Sequence, residues 1–282
     1  MPITRHISAK SGRIKVPVAP LRVAISPCPN DVAVFSAWIL GLVPWAGPKV
    51  EFSFHDIQQL NELGLSDTAP DVLKFSYAVF PKLQKTYELA EVGSALGTGV
   101  GPLIVGHANM PLGECREMLI PGWDTTAALL CQRYAPAHVP RRVMRYDQIL
   151  RMVAMDDALA GVIIHESRFS YAEHGLSLLL DLGTCWENET RLPLPLGGVG
   201  IRRHLAADVR QEFENTIRSS LDFAQAHPEQ VRGLIKQHAQ EMADDKMARH
   251  IALYVNDYTR ELGATGRRAV ELLCEMKKEP FG

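Results

Sequence analysis

A histidine at position 165 follows directly on an apolar run, and this placement suits proton transfer. The run is Ala160-Gly161-Val162-Ile163-Ile164, and a polar stretch begins with His165 and Glu166. A short, β-branched run next to glycine predicts a buried strand of a parallel sheet. Ligands bind beyond the carboxyl ends of such strands, where an imidazole can act as an acid or a base near neutral pH. A histidine that caps or hydrogen-bonds a loop would occupy the same position, so position alone leaves both interpretations open.

A second strand end combines a lysine and a serine that could bind an anion. The residues from Asp71 to Phe75 predict a short strand, with Lys74 inside it and Ser76 at its end. An unpaired ammonium group is costly in an apolar strand, so Lys74 is either salt-bridged within the protein or faces an anionic ligand. Ser76 could present its hydroxyl and its backbone amide to a carboxylate at a helix N-terminus.

A third strand end opens a helix with two threonines. A strand over Met118 to Ile120 and a turn at Pro121-Gly122 precede Thr125 and Thr126. Hydroxyls and free N–H groups at the start of a helix are typical of an anion cradle. Simple helix capping by Asp124 or Thr125 explains the same residues equally well.

Other patterns associated with known chemistry are incomplete. The segment Gly97-Thr98-Gly99-Val100-Gly101 is not a dinucleotide fingerprint, because its third glycine comes too early and no helix follows; it predicts a tight turn or a hinge. A zinc-binding helix that starts at His165 would need a histidine where Phe169 stands. A GxSxG elbow is absent, and Cys28 between two prolines shows no sign of activation. The sequence therefore predicts neither a metal ion nor covalent catalysis.

The composition is that of a globular enzyme with one large domain or two ordinary ones. The chain has 282 residues, of which 46% are hydrophobic and 22% are charged, and its net charge is −2. A nucleic-acid-binding protein would normally show a basic stripe, so no nucleic-acid partner is expected. No apolar stretch approaches the roughly 18 residues of a transmembrane helix, so no membrane association is expected.

Cysteine usage and the first residues of the chain predict a cytoplasmic protein. The five cysteines are irregularly spaced and form no CxxC pair, which favours free thiols in a reducing compartment. Residues 1–20 contain four Lys or Arg residues without an acidic residue, and they lack the apolar core of a secretory signal peptide. We expect a disordered tail over these residues.

The rest of the sequence predicts two α/β lobes with a ligand cleft between them. Short apolar runs such as Leu21 to Ile25 alternate with helical stretches, which indicates parallel sheets with helices on both faces. The proline-rich segment Leu192 to Gly198 predicts a crossover, and the chain from Asp208 onward has a purely helical pattern. The larger lobe is expected to contain residues 21–110 and 200–282, and the smaller lobe residues 111–199.

Taken in order, these segments resemble one family, the 1,4-dihydroxy-6-naphthoate synthases of the futalosine route to menaquinone. The resemblance spans about Leu21 to the C-terminus, and its clearest motif is Ile163-Ile164-His165-Glu166-Ser167-Arg168-Phe169. The other matching stretches are Ser26-Pro27-Cys28-Pro29-Asn30-Asp31, Asp56-Ile57 with Leu60-Asn61, Lys74-Phe75-Ser76-Tyr77-Ala78, Ala95 to Leu103, Pro121-Gly122 with Thr125-Thr126-Ala127, Asp181-Leu182-Gly183, Trp186-Glu187 and Pro193 to Gly198.

The resemblance implies a fold, a reaction and a set of site residues. The fold is like that of the type II periplasmic binding proteins, with two α/β lobes around a ligand cleft. The reaction is a lyase step that converts cyclic dehypoxanthinyl futalosine to 1,4-dihydroxy-6-naphthoate and releases a dihydroxyacetone-type fragment. His165 corresponds to the family's base. The substrate-contacting positions correspond to Lys74, Phe75, Ser76, Thr125, Thr126 and Ala127, and the secondary candidates are Asn30, Asp31 and Arg168. On the residues alone, Asn30 and Asp31 are expected to cap a helix over Val32 to Leu40.

These residue types fit a substrate with an aromatic carboxylate and a sugar-derived ring, because such a substrate needs an anion cradle and a proton acceptor. The scheme requires no cofactor, and the expected partner is a small carboxylate substrate; a homodimer is compatible with the sequence. Two alternatives stay open: a sister enzyme similar to chorismate dehydratase, and a non-catalytic binding protein for a small carboxylate. Thr98 stands where an arginine is expected between the glycines, which leaves an anion contact from that turn in question.

Overall fold

The larger of two β-sheets is built from strands near both ends of the described chain. The computed structural model describes residues 19–239 and 243–277, so the predicted tail lies outside it except for residues 19 and 20. The strands of this sheet are β1 (Leu21–Ile25), β2 (Val50–Phe54), β3 (Val72–Ser76), β4 (Tyr87–Leu89), β5 (Ala95–Gly97) and β11 (Leu194–Arg202). Their order is β2-β1-β3-β11-β4, and β5 also pairs with β11.

The smaller sheet lies between these segments in the chain. Its strands are β6 (Leu103–Gly106), β7 (Glu117–Ile120), β8 (Arg141–Val143), β9 (Leu159–Ile163) and β10 (Ser177–Asp181), in the order β10-β6-β9-β7-β8. Strands connected by helical crossovers pair in parallel: β1 with β2 and β3, and β7 with β8 and β9. The strands β6 and β11, at which the chain passes from one sheet to the other, pair antiparallel with their neighbours. Both sheets are therefore mixed, whereas the sequence predicted parallel sheets.

Helices cover both sheets. Within the described ranges they are α1 (Pro29–Ile39), α2 (Ile57–Gly64), α3 (Phe80–Leu83), α4 (Thr126–Tyr134), α5 (Tyr146–Ala154), α6 (Leu182–Thr190), α7 (Ala207–Ala226), α8 (Pro228–His238), α9 (Asp244–Tyr254), α10 (Asp257–Arg260) and α11 (Gly263–Met276). A 3₁₀ turn over His165–Phe169 follows β9. None of the helices in these ranges is both long enough and apolar enough to cross a membrane.

The chain passes between the sheets at residues that differ from the predicted lobe boundaries. β6 begins at Leu103, already in the smaller sheet, and β11 returns to the larger sheet at Leu194, whereas boundaries near residues 110 and 200 were expected. The prediction of a crossover over the proline-rich segment is wrong, because most of that segment forms β11. Pro195 is accommodated there because the pairing register of β11 with β5 shifts between Pro195 and Gly197.

The C-terminal helices pack on the larger sheet, which extends the larger lobe to the end of the described chain. On one face of the sheet, Phe213 of α7 contacts Trp38 of α1, with ring centroids 5.8 Å apart. On the other face, Val270 and Leu273 of α11 join the buried cluster that contains Phe75 of β3. Full burial of a large apolar side chain stabilises the fold by about 1.5–3 kcal/mol. These contacts hold in place the strand ends that line the site.

Candidate active site

A cavity between the lobes brings together most of the residues that the sequence identified. The larger lobe contributes the end of β3 and the first turn of α1, and the smaller lobe contributes the first turn of α4 and the residues after β9. The predicted residues in its wall are Asn30, Asp31, Lys74, Ser76, Thr125, Thr126, Ala127 and His165. Phe75 and Arg168 are outside this wall.

Lys74 on β3 forms a buried ion pair with Asp31 on α1. Its Nζ lies 2.9 Å from Asp31 Oδ1, and the two side chains are only 4% and 5% exposed. The ammonium group also donates to the carbonyl of Gly93 at 2.8 Å, and the hydroxyl of Ser26 donates to Asp31 at 2.6 Å. Of the two interpretations of Lys74, the structure therefore shows the internal salt bridge. Its charge is balanced before any ligand binds.

Asn30 and Asp31 do not cap α1 as expected. The helix begins at Pro29, which suits a first helical position, so both residues lie in its first turn. Asn30 Nδ2 donates to Asp31 Oδ1 at 2.9 Å, and Asn30 Oδ1 lies 2.9 Å from Nε2 of His250 on α9. The polar network that starts at Lys74 thus reaches a helix near the C-terminus.

Ser76 at the end of β3 is held by Asn61 on α2. The N–H of Ser76 donates to Asn61 Oδ1 at 2.9 Å, and Asn61 Nδ2 donates to Ser76 Oγ at 3.2 Å. The predicted contact of the Ser76 amide with a ligand is therefore wrong, because that amide is already bonded within the protein. Its hydroxyl proton has no acceptor within the described ranges and is left for a ligand in the cavity.

The two threonines at the start of α4 use their hydroxyls within the protein. Thr125 is the N-cap: its Oγ1 accepts from the N–H of Ala128 at 3.1 Å and donates to the carbonyl of Gly122 at 2.7 Å. The hydroxyl of Thr126 donates to a main-chain carbonyl of β11 at 2.9 Å. The capping interpretation is thus observed. The groups that α4 still offers to an anion are the N–H groups of Thr126 and Ala127, which have no intrahelical partners at the start of a helix.

His165 follows β9 in a left-handed backbone conformation, with φ of +56°. This conformation is uncommon for a residue other than glycine and costs about 1–3 kcal/mol where it is strained. Cys28 Sγ lies 3.3 Å from His165 Nδ1, and the ring of Tyr146 packs edge-on with its centroid 5.0 Å from that of the imidazole. The backbone conformation of His165 and its contacts with Cys28 and Tyr146 together fix the orientation of the imidazole in the cavity wall.

The surroundings of His165 favour a neutral imidazole. Burial disfavours the imidazolium and lowers the pKa of His165 below its ordinary value of 6.5, although Glu166 and Asp31 act in the opposite direction. Burial also raises the pKa of the adjacent Cys28 thiol, so that thiol stays protonated and is a poor nucleophile. The pair is suited to proton acceptance by the imidazole rather than to attack by sulfur.

The side chain of Phe75 points away from the cavity. Successive side chains of a strand face opposite sides, so Lys74 and Ser76 face the site while Phe75 enters the core. There it stacks on Phe80, with ring centroids 5.4 Å apart. The substrate contact that the resemblance implies for Phe75 is therefore not available to its buried side chain.

Arg168 fixes the glycine-rich turn beside the cavity. Its guanidinium donates to the carbonyls of Gly99 and Gly101 at 3.2 and 3.3 Å. Both glycines have positive φ, +70° and +132°, a conformation that glycine adopts readily. Thr98 at its tip is exposed. Arg168 thus supports the wall without belonging to it.

Sequence reasoning missed several residues in and beside the cavity wall, among them Asn61, His250 and Tyr254. His250 and Tyr254 both line the cavity, with ring centroids 4.7 Å apart. Their spacing of four residues places them on one face of α9, and this spacing is the one local signal that could have indicated a shared role. Asn61 is fully buried on α2, and a polar residue on the apolar face of a predicted helix was the available signal there.

Polar contacts join the lobes around the cavity. Asn61 Nδ2 donates to the carbonyl of Asp124 at 3.0 Å, and Lys82 forms an ion pair of 2.6 Å with the Asp124 carboxylate. Lys246 on α9 pairs with Glu173 of the smaller lobe at 2.8 Å. Because each contact joins residues of different lobes, the site is complete only while the lobes are in contact.

Acid is expected to destabilise the fold through His250. Burial, together with the charge of His165, lowers the pKa of His250 from 6.5 to about 3. Below pH 6.5 the unfolded chain therefore takes up a proton that the folded protein does not bind. The free energy of unfolding should fall by about 2 kcal/mol between pH 7 and pH 5 on account of this group. Urea unfolding at the two pH values measures the loss.

Two variants isolate this contribution. His250→Gln removes the titrating group, so the difference in unfolding free energy between pH 7 and pH 5 should shrink by about 2 kcal/mol. His174→Gln removes an exposed imidazole and should leave the difference as it is. If His250→Gln keeps the full pH dependence of the wild type, another group is responsible.

A solved structure whose fold is known superposes on nearly the whole chain. A Candida albicans gene product, described as exhibiting the generic periplasmic binding protein structural fold, matches with a TM-score of 0.63 at 12% identity, over 93% of this chain and 92% of that one. An identity this low shows the fold alone. The protein is a two-lobed α/β protein of the periplasmic-binding-protein type, as predicted, with a cavity between its lobes.

Matches of higher sequence identity show the family to which this chain belongs. A family model described as menaquinone biosynthesis matches residues 21–279. A Thermus thermophilus protein named 1,4-dihydroxy-6-naphthoate synthase is 41% identical over 253 residues, covering 90% of this chain and 92% of the relative. One of the same name from Streptomyces coelicolor is 39% identical over 256 residues, covering 89% and 90%. An Archaeoglobus fulgidus crystal structure matches with a TM-score of 0.85 at 30% identity, over 90% of this chain and 95% of that one. The chain belongs to the menaquinone-biosynthesis family, and the predicted resemblance is confirmed.

Proposed function

We propose that this protein is a 1,4-dihydroxy-6-naphthoate synthase, a carbon–carbon lyase that acts on cyclic dehypoxanthinyl futalosine. The observation that carries the proposal is the placement of His165. A neutral imidazole in a constrained conformation lies in the same cavity as the Ser76 hydroxyl, whose proton is available to a ligand, and the start of a helix. The site therefore combines a proton acceptor with groups that bind an anion, and the names of the two curated relatives support this reaction.

In this mechanism, His165 removes a proton from a carbon next to an activating group of the substrate. The released electron pair opens the ring, cleavage of the carbon–carbon bond follows as a separate step, and the dihydroxyacetone-type fragment leaves after it takes up the proton that the imidazolium returns. Formation of the aromatic naphthalene ring drives the elimination forward. A general base contributes about 10²- to 10⁴-fold to the rate of such a step. The chemistry uses no redox cofactor, because the substrate contains all the atoms and electrons of the products.

The substrate carboxylate is held by hydrogen-bond donors rather than by a free cation. Lys74 is already paired with Asp31, so its charge is largely balanced. Donors that the described part of the cavity wall offers are the hydroxyl of Ser76 and the N–H groups of Thr126 and Ala127 at the start of α4. The helix N-terminus adds a partial positive charge, which favours a carboxylate by about 0.3–1 kcal/mol. These donors also stabilise oxyanions that develop during bond cleavage.

The free cysteines support a reducing compartment such as the cytoplasm for this reaction. Four cysteines of the described ranges, Cys28, Cys115, Cys131 and Cys185, are free thiols. Proteins of oxidising compartments commonly contain disulfides, whereas unpaired thiols persist in reducing ones.

Mass spectrometry of the purified protein with cyclic dehypoxanthinyl futalosine tests the proposal. The expected result is conversion to 1,4-dihydroxy-6-naphthoate without added metal or nucleotide. Substrate that binds but is recovered unchanged would overturn the proposal and favour a binding protein. Conversion of chorismate instead would identify a sister enzyme.

A further inference from the structure

His250 lies in the cavity wall, and the reaction proposed above assigns it no role. The residue extends from α9 and is fully buried. Its ring centroid is 6.3 Å from that of His165. The two ring nitrogens are distinct groups, and the partner of one fixes what the other can bind.

The hydrogen bonds of Asn30 fix the tautomer of His250. Asn30 Nδ2 donates to the Asp31 carboxylate at 2.9 Å, which leaves the amide oxygen of Asn30 facing His250. That oxygen can only accept, so the Nε2 atom of His250, 2.9 Å away, carries the hydrogen. In the neutral imidazole, Nδ1 is then a lone-pair acceptor.

Nδ1 of His250 is buried and has no hydrogen-bond partner within residues 19–239 and 243–277. An unpaired buried acceptor costs about 1–3 kcal/mol, so such groups are rare in folded proteins unless a ligand or a water completes them. The pKa of His250 is lowered to about 3, mainly by burial, so Nδ1 offers a lone pair and no charge at neutral pH. Its matching ligand group is a neutral donor such as a hydroxyl; a carboxylate would present only acceptors.

We propose that Nδ1 of His250 accepts a hydrogen bond from a hydroxyl group in the sugar-derived part of the substrate. This role rests on the proposed function, which supplies a substrate with an aromatic carboxylate and a sugar-derived ring. The donors at Ser76 and α4 suit the carboxylate, and an acceptor suits a ring hydroxyl. His250 then determines which hydroxyl pattern the site accepts, and proton transfer belongs to His165.

The His250→Gln variant keeps a donor for Asn30 but displaces the acceptor, because the amide oxygen of glutamine lies one bond further from Cβ than Nδ1 of histidine. Its kcat/KM for cyclic dehypoxanthinyl futalosine should fall by about 10- to 100-fold, the effect of leaving one substrate hydroxyl unpaired in a buried site. Thermal unfolding of the variant at pH 7 checks that it is folded.

Substrate analogues that each lack one hydroxyl test whether the two groups form a pair. The wild type should lose about 10- to 100-fold in kcat/KM on the analogue without the partner hydroxyl. His250→Gln should turn over that analogue and the full substrate equally well. A purely structural role would lower both rates by the same factor and keep the wild-type discrimination, and this result would overturn the proposal.

Nitrogen NMR provides a measurement that does not depend on a folded His250 variant. In ¹⁵N-histidine-labelled His165→Asn protein, bound substrate should shift the Nδ1 resonance of His250 toward that of a hydrogen-bonded nitrogen. An unchanged resonance with substrate bound would overturn the proposal. A wild type that forms no naphthoate contradicts the proposed function as well. A wild type that forms it, with unaltered discrimination in His250→Gln, contradicts only the role of His250.

Discussion

Replacement of His165 by asparagine is expected to lower kcat by about 10²- to 10⁴-fold, because this is the contribution of a general base to proton abstraction. Asparagine is the suitable replacement, since it tolerates the left-handed conformation that His165 adopts at φ +56° and cannot accept the proton. The loss should appear in kcat and in kcat/KM alike, because the base acts only in the transition state.

A neighbouring histidine provides the control for this loss. His174 belongs to the same segment after β9, is exposed and does not line the cavity. His174→Asn should therefore keep wild-type turnover in the assay that follows naphthoate formation. Turnover of His165→Asn within tenfold of the wild type would exclude His165 as the base.

The pH dependence of the rate offers a second measurement of the same assignment. Because burial lowers the pKa of His165 below 6.5, the imidazole is free to accept a proton at neutral pH. The wild-type kcat/KM should be level near pH 7 and should fall on acidification through the pKa of the free enzyme. His165→Asn should lack that acidic limb. If the variant keeps an acidic limb with the same midpoint, that limb reports the titration of another group.

The strand ends of the site were predictable because their signals are local. A short apolar run, a turn and a polar residue at a helix start are all visible within ten residues of sequence, and this pattern identified Ser76, Thr125 and His165. The same local pattern could not decide between capping and ligand binding at Thr125. That distinction depends on which acceptor each hydroxyl reaches in the folded protein.

The missed parts of the structure depend on contacts between distant segments. His250 is 220 residues from Asn30, its partner, so no local pattern links them. β11 was missed because prolines normally argue against a strand, and its register shift beside Pro195 exists only in the assembled sheet. The error at Phe75 is different: the period of two along β3 already placed it on the core side, and the family resemblance overrode that pattern.

Replacement of Lys74 by methionine is expected to lower the free energy of unfolding by about 3–5 kcal/mol, the usual cost of removing one partner of a buried ion pair. Methionine preserves most of the volume of the side chain but leaves the Asp31 carboxylate, 5% exposed, without its cation. The hydroxyl of Ser26 and the amide of Asn30 still donate to that carboxylate, yet neither of them neutralises its charge. Urea unfolding should show a lower midpoint with an unchanged m-value.

Two further variants separate the charge effect from packing. Lys49→Met breaks an ion pair with Glu51 in which the side chains are 79% and 51% exposed, and it should cost at most about 1 kcal/mol. Adding Asp31→Asn to Lys74→Met removes the uncompensated charge and should recover part of the lost stability, because the destabilising group is the carboxylate rather than the space left by the lysine. If the double variant is less stable than Lys74→Met, the carboxylate is stabilised by its other donors, and the structural interpretation of Lys74 fails.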